Sequence, residues 1–402
     1  MSENNYEETE PVTSESGESE DDVIGRVGAQ RANVTATDWT IETLVTQMNK
    51  GRLDLSPAFQ RRAAWTSTLK SRFIESTILA YPIPQIVLAE KKDKPGHFIV
   101  IDGKQRLLAI RQFYAGLSGY EEGGFTSFKL ASVTSIESIK GFNISQLQEE
   151  RPELFDAFET HTIRTVTVRN WEHEEFLYSL FLRLNTGSIP LSPQELRQAL
   201  VPGPFVNFID KFSGDSPGLR KLLNNDAPDR RMVDAEVLTR MIGLYGGGEY
   251  YKGNLKDFLD RTCKYYNVRW KDEEARVKDL LANMEKAIDA AYIIFEGSPC
   301  KKWNGTRYER AFNRAIFDTQ IGALLGGSNI RDAAMEKSSE LLVAFHNIST
   351  ADQEFLHSIT STTKTIEAFQ TRISKWFTQF AAITGSEPVW PVGLPKRTEE
   401  VV

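Results

Sequence analysis

The chain has 402 residues, of which 40% are hydrophobic and 26% charged, with two cysteines and a formal charge of -7. Two thiols exclude a disulfide framework or a cysteine-rich metal site and fit a reducing cytosol. The absence of any apolar run near 18 residues excludes a transmembrane helix, and the polar, acidic start excludes a secretory signal peptide.

At roughly 100–200 residues per domain, the length predicts two domains. Nine acids crowd residues 1–22, which contain no Lys or Arg. With so few apolar residues, this stretch cannot offset the entropy of ordering, and 1–35 is expected to be a disordered acidic tail. The negative charge therefore belongs to the tail. Residues 51–116 instead hold eleven Lys or Arg against five Asp or Glu. Such a segment is either a solvated basic face or an attractor of phosphates and nucleic acid.

Residues 40–49 read as a short amphipathic helix stopped by Gly51. Thr66 is a cap for a helix over 67–80, with Leu69, Phe73, Ile74 and Ile78 on one stripe. Pro82 and Pro84 force an extended passage. Ile86–Leu88 and Phe98–Ile101 read as strands around a charged turn at 91–96, the second buried on both faces. Helices are expected over 104–115, 145–160 and 172–184, and a strand over 162–168. Ser192, Pro193 and Glu195 form a capping-box helix start. Beyond about residue 200 strand signals nearly vanish, and helices are expected over 231–243, 255–266, 272–295, 307–325, 331–347 and 364–382. The fold class is therefore α+β: a mixed α/β front domain over 36–200, an all-helical rear domain over 201–390, and a tail over 391–402. The boundary falls near Val201-Pro202-Gly203-Pro204.

The sharpest motif is Asp102-Gly103-Lys104-Gln105-Arg106, set between a strand and a helix. A first helical turn offers unpaired N–H groups and the positive end of the helix dipole, a ready anion site. Gly103 lets a phosphate approach the backbone, Arg106 supplies a charge-assisted fork and Lys104 a point charge. Asp102 suits a divalent metal or the orienting of a water. The plainer alternative is an ordinary strand–turn–helix with Asp102 as the N-cap. No GxxxxGK[ST] loop occurs in the chain, so a P-loop is excluded.

Phe59-Gln60-Arg61-Arg62, followed by Trp65, suits a base and a phosphate, or else a buried aromatic pair with surface arginines. Asn185-Thr186-Gly187 is a helix C-cap or a hydrogen-bonding loop. Arg307, Arg310 and Arg314 share one face of the expected 307–325 helix, which is either a solvated face or a nucleic-acid contact. His161 and His173 are isolated, and Glu172-His173-Glu174 lacks a second histidine at helical spacing for zinc.

PAFQRRAAW, SRFIESTILAYPIPQIVL, IVIDGKQRLLAI and FLRLNTGSIPLSPQELRQAL together resemble, over about 40–200, the N-terminal domain of GmrSD-type (type IV) restriction proteins. That family is recognised by a DGQQR motif and has a ParB/sulfiredoxin-like fold. RRMVDAEVLTRMI and NRAIFDTQIGAL resemble the helical extension of its stand-alone members. The resemblance implies a nucleotide, with Mg²⁺ and often hydrolysis, coupled to DNA restriction or anti-phage defence, with DNA or a nuclease as partner.

Asp102, Gly103, Gln105 and Arg106 match the motif, and Lys104 replaces its first glutamine. Gln60 and Arg61 match the family's QR, while Asn185, Thr186 and Gly187 match its NTG loop. Asp102 and Gln105 would then be catalytic, Asp102 would hold the metal, and Gln60, Arg61, Gly103, Lys104, Arg106, Asn185 and Thr186 would bind nucleotide. Two readings stand: a cytoplasmic, Mg-dependent NTPase switch, or a non-hydrolysing ParB-like binding module. A nuclease in this chain is not expected. Only His346 and His357 follow residue 200, and neither sits beside a clustered acid or Asn in a strand–loop–helix. Sulfiredoxin chemistry is not expected either, because both cysteines lie behind residue 260.

Overall fold

The computed structural model describes residues 32–53, 55, 65–117, 119–120, 125–172, 176–177, 180, 183–184, 192–229, 231–361 and 363–396. They form two compact units. One runs to Pro202 and takes in Pro228–Met232; the other comprises Gly203–Ala227 and Val233 onward.

The first unit starts with β1 (Asn33–Thr40), which leads directly into α1 (Ile41–Asn49). The Thr40 hydroxyl accepts from the Thr43 amide, so strand and helix share one capping residue. Thr66 likewise caps α2 (Ser67–Ile78). Then follow β2 (Ile86–Glu90), β3 (Phe98–Asp102) and α3 (Lys104–Tyr114). The helix expected over 145–160 is two helices, α4 (Ile144–Glu150) and α5 (Pro152–Thr160), separated at Arg151. Pro152 cannot continue the α4 hydrogen-bond ladder, but it suits the first position of α5. β4 (Thr162–Arg169) and α6 (Pro193–Leu200) complete the unit. The Ser192–Glu195 capping box is present at α6.

The sheet order is β1-β4-β2-β3, with β4 and β2 parallel and the outer pairs antiparallel. Helices α1 to α5 bury one face of it: Ile41, Leu44, Ile74, Leu107, Phe113, Leu147 and Phe158 pack with Ile86, Leu88, Val100 and Ile163. Val87, Ala89, Ile99, Ile101 and Val168 pack with Trp171 and Leu177 in a second cluster. β2 and β3 are thus buried on both faces, as their unbroken apolar runs require. Of the stripe expected on α2, Leu69 faces water instead.

The second unit is mainly helical: α7 (Pro204–Asp215), α8 (Pro217–Leu223), α9 (Val233–Met241) with a π-turn at Ile242–Gly246, and α10 (Leu255–Ile294). It is not all-helical. β5 (Lys301–Trp303) and β6 (Tyr308–Phe312) form an antiparallel hairpin ahead of α11 (Arg314–Leu324). Then come α12 (Ser328–Glu336), α13 (Ser338–Ala351), α14 (Gln353–Thr360) and α15 (Ile366–Thr384). Pro391–Lys396 falls in the stretch expected as a tail, yet Leu394 is buried. The Gly393 amide donates to the Leu244 carbonyl of the π-turn.

Candidate nucleotide site at the start of α3

β3 brings Asp102 to the edge of the buried sheet and Gly103 turns the chain into α3. Gly103 has φ +94°, a left-handed conformation that side chains disfavour. A Cβ there would lie 2.9 Å from Ile86 Cγ1 and 3.2 Å from Arg106 Nη2. Glycine is needed twice, for the turn and for the close approach.

Gly103 itself is the N-cap of α3, and no side chain caps the helix. This corrects the alternative in which Asp102 caps it. The Asp102 carboxylate turns to Arg106 instead, with Nη2 2.9 Å from Oδ2. The same Nη2 donates to the Gln85 carbonyl at 3.1 Å. Arg106, expected as a phosphate fork, is thus committed on that nitrogen to holding Asp102 and the end of the extended passage before β2. Two other polar atoms stay unmet. Gln105 Oε1 and Arg106 Nε are buried and have no hydrogen-bond partner among the described residues. A buried acceptor or donor left this way costs about 1–3 kcal/mol. The start of α3 therefore carries an unmet acceptor, an unmet donor and an uncapped turn of amides.

Residues 41–202 match the family model described as the GmrSD restriction endonuclease, N-terminal domain. Over this span the chain is similar to a GmrSD N-terminal domain. No curated protein and no solved structure matches it. The resemblance read from the four sequence blocks is thereby borne out, and β1 lies just ahead of the matched span.

Of the site residues expected in the GmrSD domain, Asp102, Gly103, Lys104, Gln105 and Arg106 are brought together on one turn. Gln60, Arg61, Asn185 and Thr186 lie outside the described residues, as does His173. Among the described residues no group of three His, Cys, Asp or Glu is placed to hold a metal. Asp102 is one carboxylate already paired with an arginine, so the donor set does not fit a Mg²⁺ held by the protein alone. His161 is half-buried, and burial lowers its pKa below the usual histidine value.

In the second unit the arginine stripe does not exist. Arg307 lies in the turn before β6 and Arg310 on β6, both exposed. Arg314 starts α11 and is buried, its Nε 3.1 Å from Glu236 Oε1. The i, i+3, i+7 spacing suggested a helix, but Asn304-Gly305 between KKW and RYERAF is a strong hairpin signal and decides the local structure. That dipeptide would have revealed the strands.

Proposed function

We propose that the GmrSD N-terminal domain, with a ParB/sulfiredoxin-like fold, binds a nucleoside triphosphate at the start of α3. In this reading the protein is a nucleotide-dependent sensor or switch of DNA restriction and anti-phage defence in the cytoplasm, acting with DNA or a partner nuclease. The observation that supports it best is the pair of unmet atoms, Gln105 Oε1 and Arg106 Nε, beside the uncapped first turn. An anion with adjoining donor and acceptor groups satisfies all three. The first-turn amides and Lys104 take the phosphates. Arg106 holds Asp102, whose second oxygen orients a water. Gln60, Arg61, Asn185 and Thr186 complete the pocket by the family's motif. Mg²⁺ enters with the phosphates, which supply most of its ligands.

The non-hydrolysing module is the second reading, favoured by the Asp102–Arg106 pair. A carboxylate oxygen held by an arginine is not free to orient a water.

The test is binding of, and phosphate release from, ATP, GTP, CTP and UTP, with and without DNA. Lys104→Ala should weaken binding of the preferred nucleotide by about 10-fold or more, the worth of one charged hydrogen bond. Asp102→Asn should leave binding largely intact and stop turnover. Binding without turnover in the wild type selects the second reading. If none of the four nucleotides binds, both fail.

A further inference from the structure

We infer that the β5–β6 hairpin is a contact surface for duplex DNA, holding the phosphate backbone through Arg307 and Arg310. The inference takes DNA as the partner from the reading above and goes beyond it by naming where the duplex is held, in a different unit from the nucleotide site.

Three observations carry it. The first is charge. The ribbon KKWNGTRYERAF carries four cations and one acid. That acid, Glu309, lies 3.5 Å from Lys302 and offsets it. Arg307 and Arg310 are exposed, and among the described residues neither has an acid within ion-pair distance. Elsewhere in this unit exposed or half-exposed cations are commonly matched: Arg261 to Glu249, Arg276 to Glu273, Lys278 to Glu274, Lys375 to Asp352. On the ribbon the guanidinium charge of Arg307 and Arg310 is left over.

The second is rigidity. Trp303 and Tyr308 face each other across the hairpin and clamp His346 of α13. The Trp303 ring stacks on the imidazole at 3.8 Å and 14°, and the Tyr308 hydroxyl lies 2.9 Å from Nε2. At the tip the Asn304 side chain accepts from the amides of Thr306 and Arg307. At the base Phe312 is buried, and Asn313 caps α11 while its amide donates to the Ile359 carbonyl. A ribbon fixed at base, middle and tip loses little entropy on binding.

The third is shape. The major groove of duplex DNA, about 12 Å wide, admits a two-stranded ribbon. Backbone phosphates, one charge per about 1.7 Å of axis, match closely spaced guanidiniums. Glu296 near His346 and Glu309 on the ribbon are the local acids. They work against a broad anionic surface but tolerate discrete phosphate contacts.

The experiment measures binding of a labelled random-sequence duplex across a salt series without nucleotide, for wild type, R307A/R310A and R307K/R310K. Nucleotide binding is measured in parallel. Both arginines are exposed, so the variants should fold. Wild type should bind with steep salt dependence. R307A/R310A should bind roughly tenfold or more weakly at low salt, with the log K against log salt slope reduced by about 2. The lysine pair should restore most of the slope. Nucleotide binding should be unchanged in all three. No binding by wild type, or an alanine pair with wild-type slope and affinity, overturns the inference. So does an alanine pair that loses binding to polyglutamate while keeping its DNA affinity. Loss of nucleotide binding in the wild type with DNA binding intact would strike the reading of the α3 site and leave this one standing.

Discussion

Asp102 and Arg106 sit four positions apart, and one glycine between them decides which way each side chain points. The sequence motif locates the turn and its cations. The ion pair forms because Gly103 swings into the left-handed region and carries the α3 start against Ile86, a backbone choice that a residue pattern does not specify. The same geometry makes Gly103 the most sensitive position of the site. A left-handed conformation costs a non-glycine residue about 1–2 kcal/mol. The new Cβ would also press on Ile86, which is fully buried with no room to give. Gly103→Ala should therefore lower stability by about 2 kcal/mol or more in urea unfolding. It should also weaken nucleotide binding, because any relief moves Arg106. A variant with an unchanged urea midpoint would mean that the turn relaxes freely, and the tight approach would then not be what glycine is there for.

At the scale of elements, two helix starts are legible from their caps, although capped α8 and α14 are not among the expected helices and uncapped α3 is. Thr66 and the Ser192–Glu195 box mark α2 and α6 because the cap is written in the chain. β1 was not read: it is an edge strand exposed along most of its length, so no buried alternation betrays it. The helices expected over 255–266 and 272–295 are one helix, α10. The helix continues between them, and Asn267 turns aside to accept from the amides of Phe205 and Val206, serving the start of α7. Its polarity has a tertiary use that periodicity cannot express. A similar use appears on α2, where buried Glu75 accepts from three successive amides, Thr134, Ser135 and Ile136, at 2.8, 2.6 and 3.0 Å. Ser71, one turn earlier, accepts from Ala131. These two side chains tie an irregular loop to a helix. Glu75→Ala leaves three amides without their acceptor and should cost about 3 kcal/mol, given 1.5–3 for a single charged hydrogen bond. Glu75→Gln keeps an oxygen in place and should cost markedly less. Hydrogen exchange at 134–136 reads the difference directly. Equal protection in wild type and the alanine variant would show that the loop is held by its apolar neighbours instead.

Across the whole chain, charge is handled differently in the two units. In the first, Lys104 and Arg106 of the motif are half-buried, with Arg106 paired to Asp102. The second holds a fully buried set: Arg240 and Arg372 both pair with the Asp318 carboxylate, and Arg314 pairs with Glu236. Arg240, Arg372 and Asp318 are almost wholly inaccessible to water. They come from α9, α15 and α11, distant in sequence, which is why composition and periodicity gave no hint of them. Burial drives the Arg372 guanidinium down to about 10, against the pull of Asp318 and with the push of Arg240. Phe369 supports the cluster, its ring 3.7 Å from the Arg372 guanidinium. Two cations share one carboxylate, so the carboxylate is the group whose loss does most harm. Asp318→Asn should destabilise the unit by about 3–5 kcal/mol, the usual cost of stranding a buried charge. Replacing all three together, Asp318→Leu with Arg240→Met and Arg372→Met, should recover most of that, because apolar groups of similar volume need no partner. Denaturant unfolding followed by the fluorescence of buried Trp376 separates the cases. If the triple variant is as unstable as Asp318→Asn, the arginines contribute through their other contacts, such as those of Arg372 to the Ser358 and Thr363 carbonyls, and the pairing with Asp318 is secondary. If it recovers, the cluster stabilises little for its cost, and its place in the fold lies in fixing which faces of α9, α11 and α15 meet.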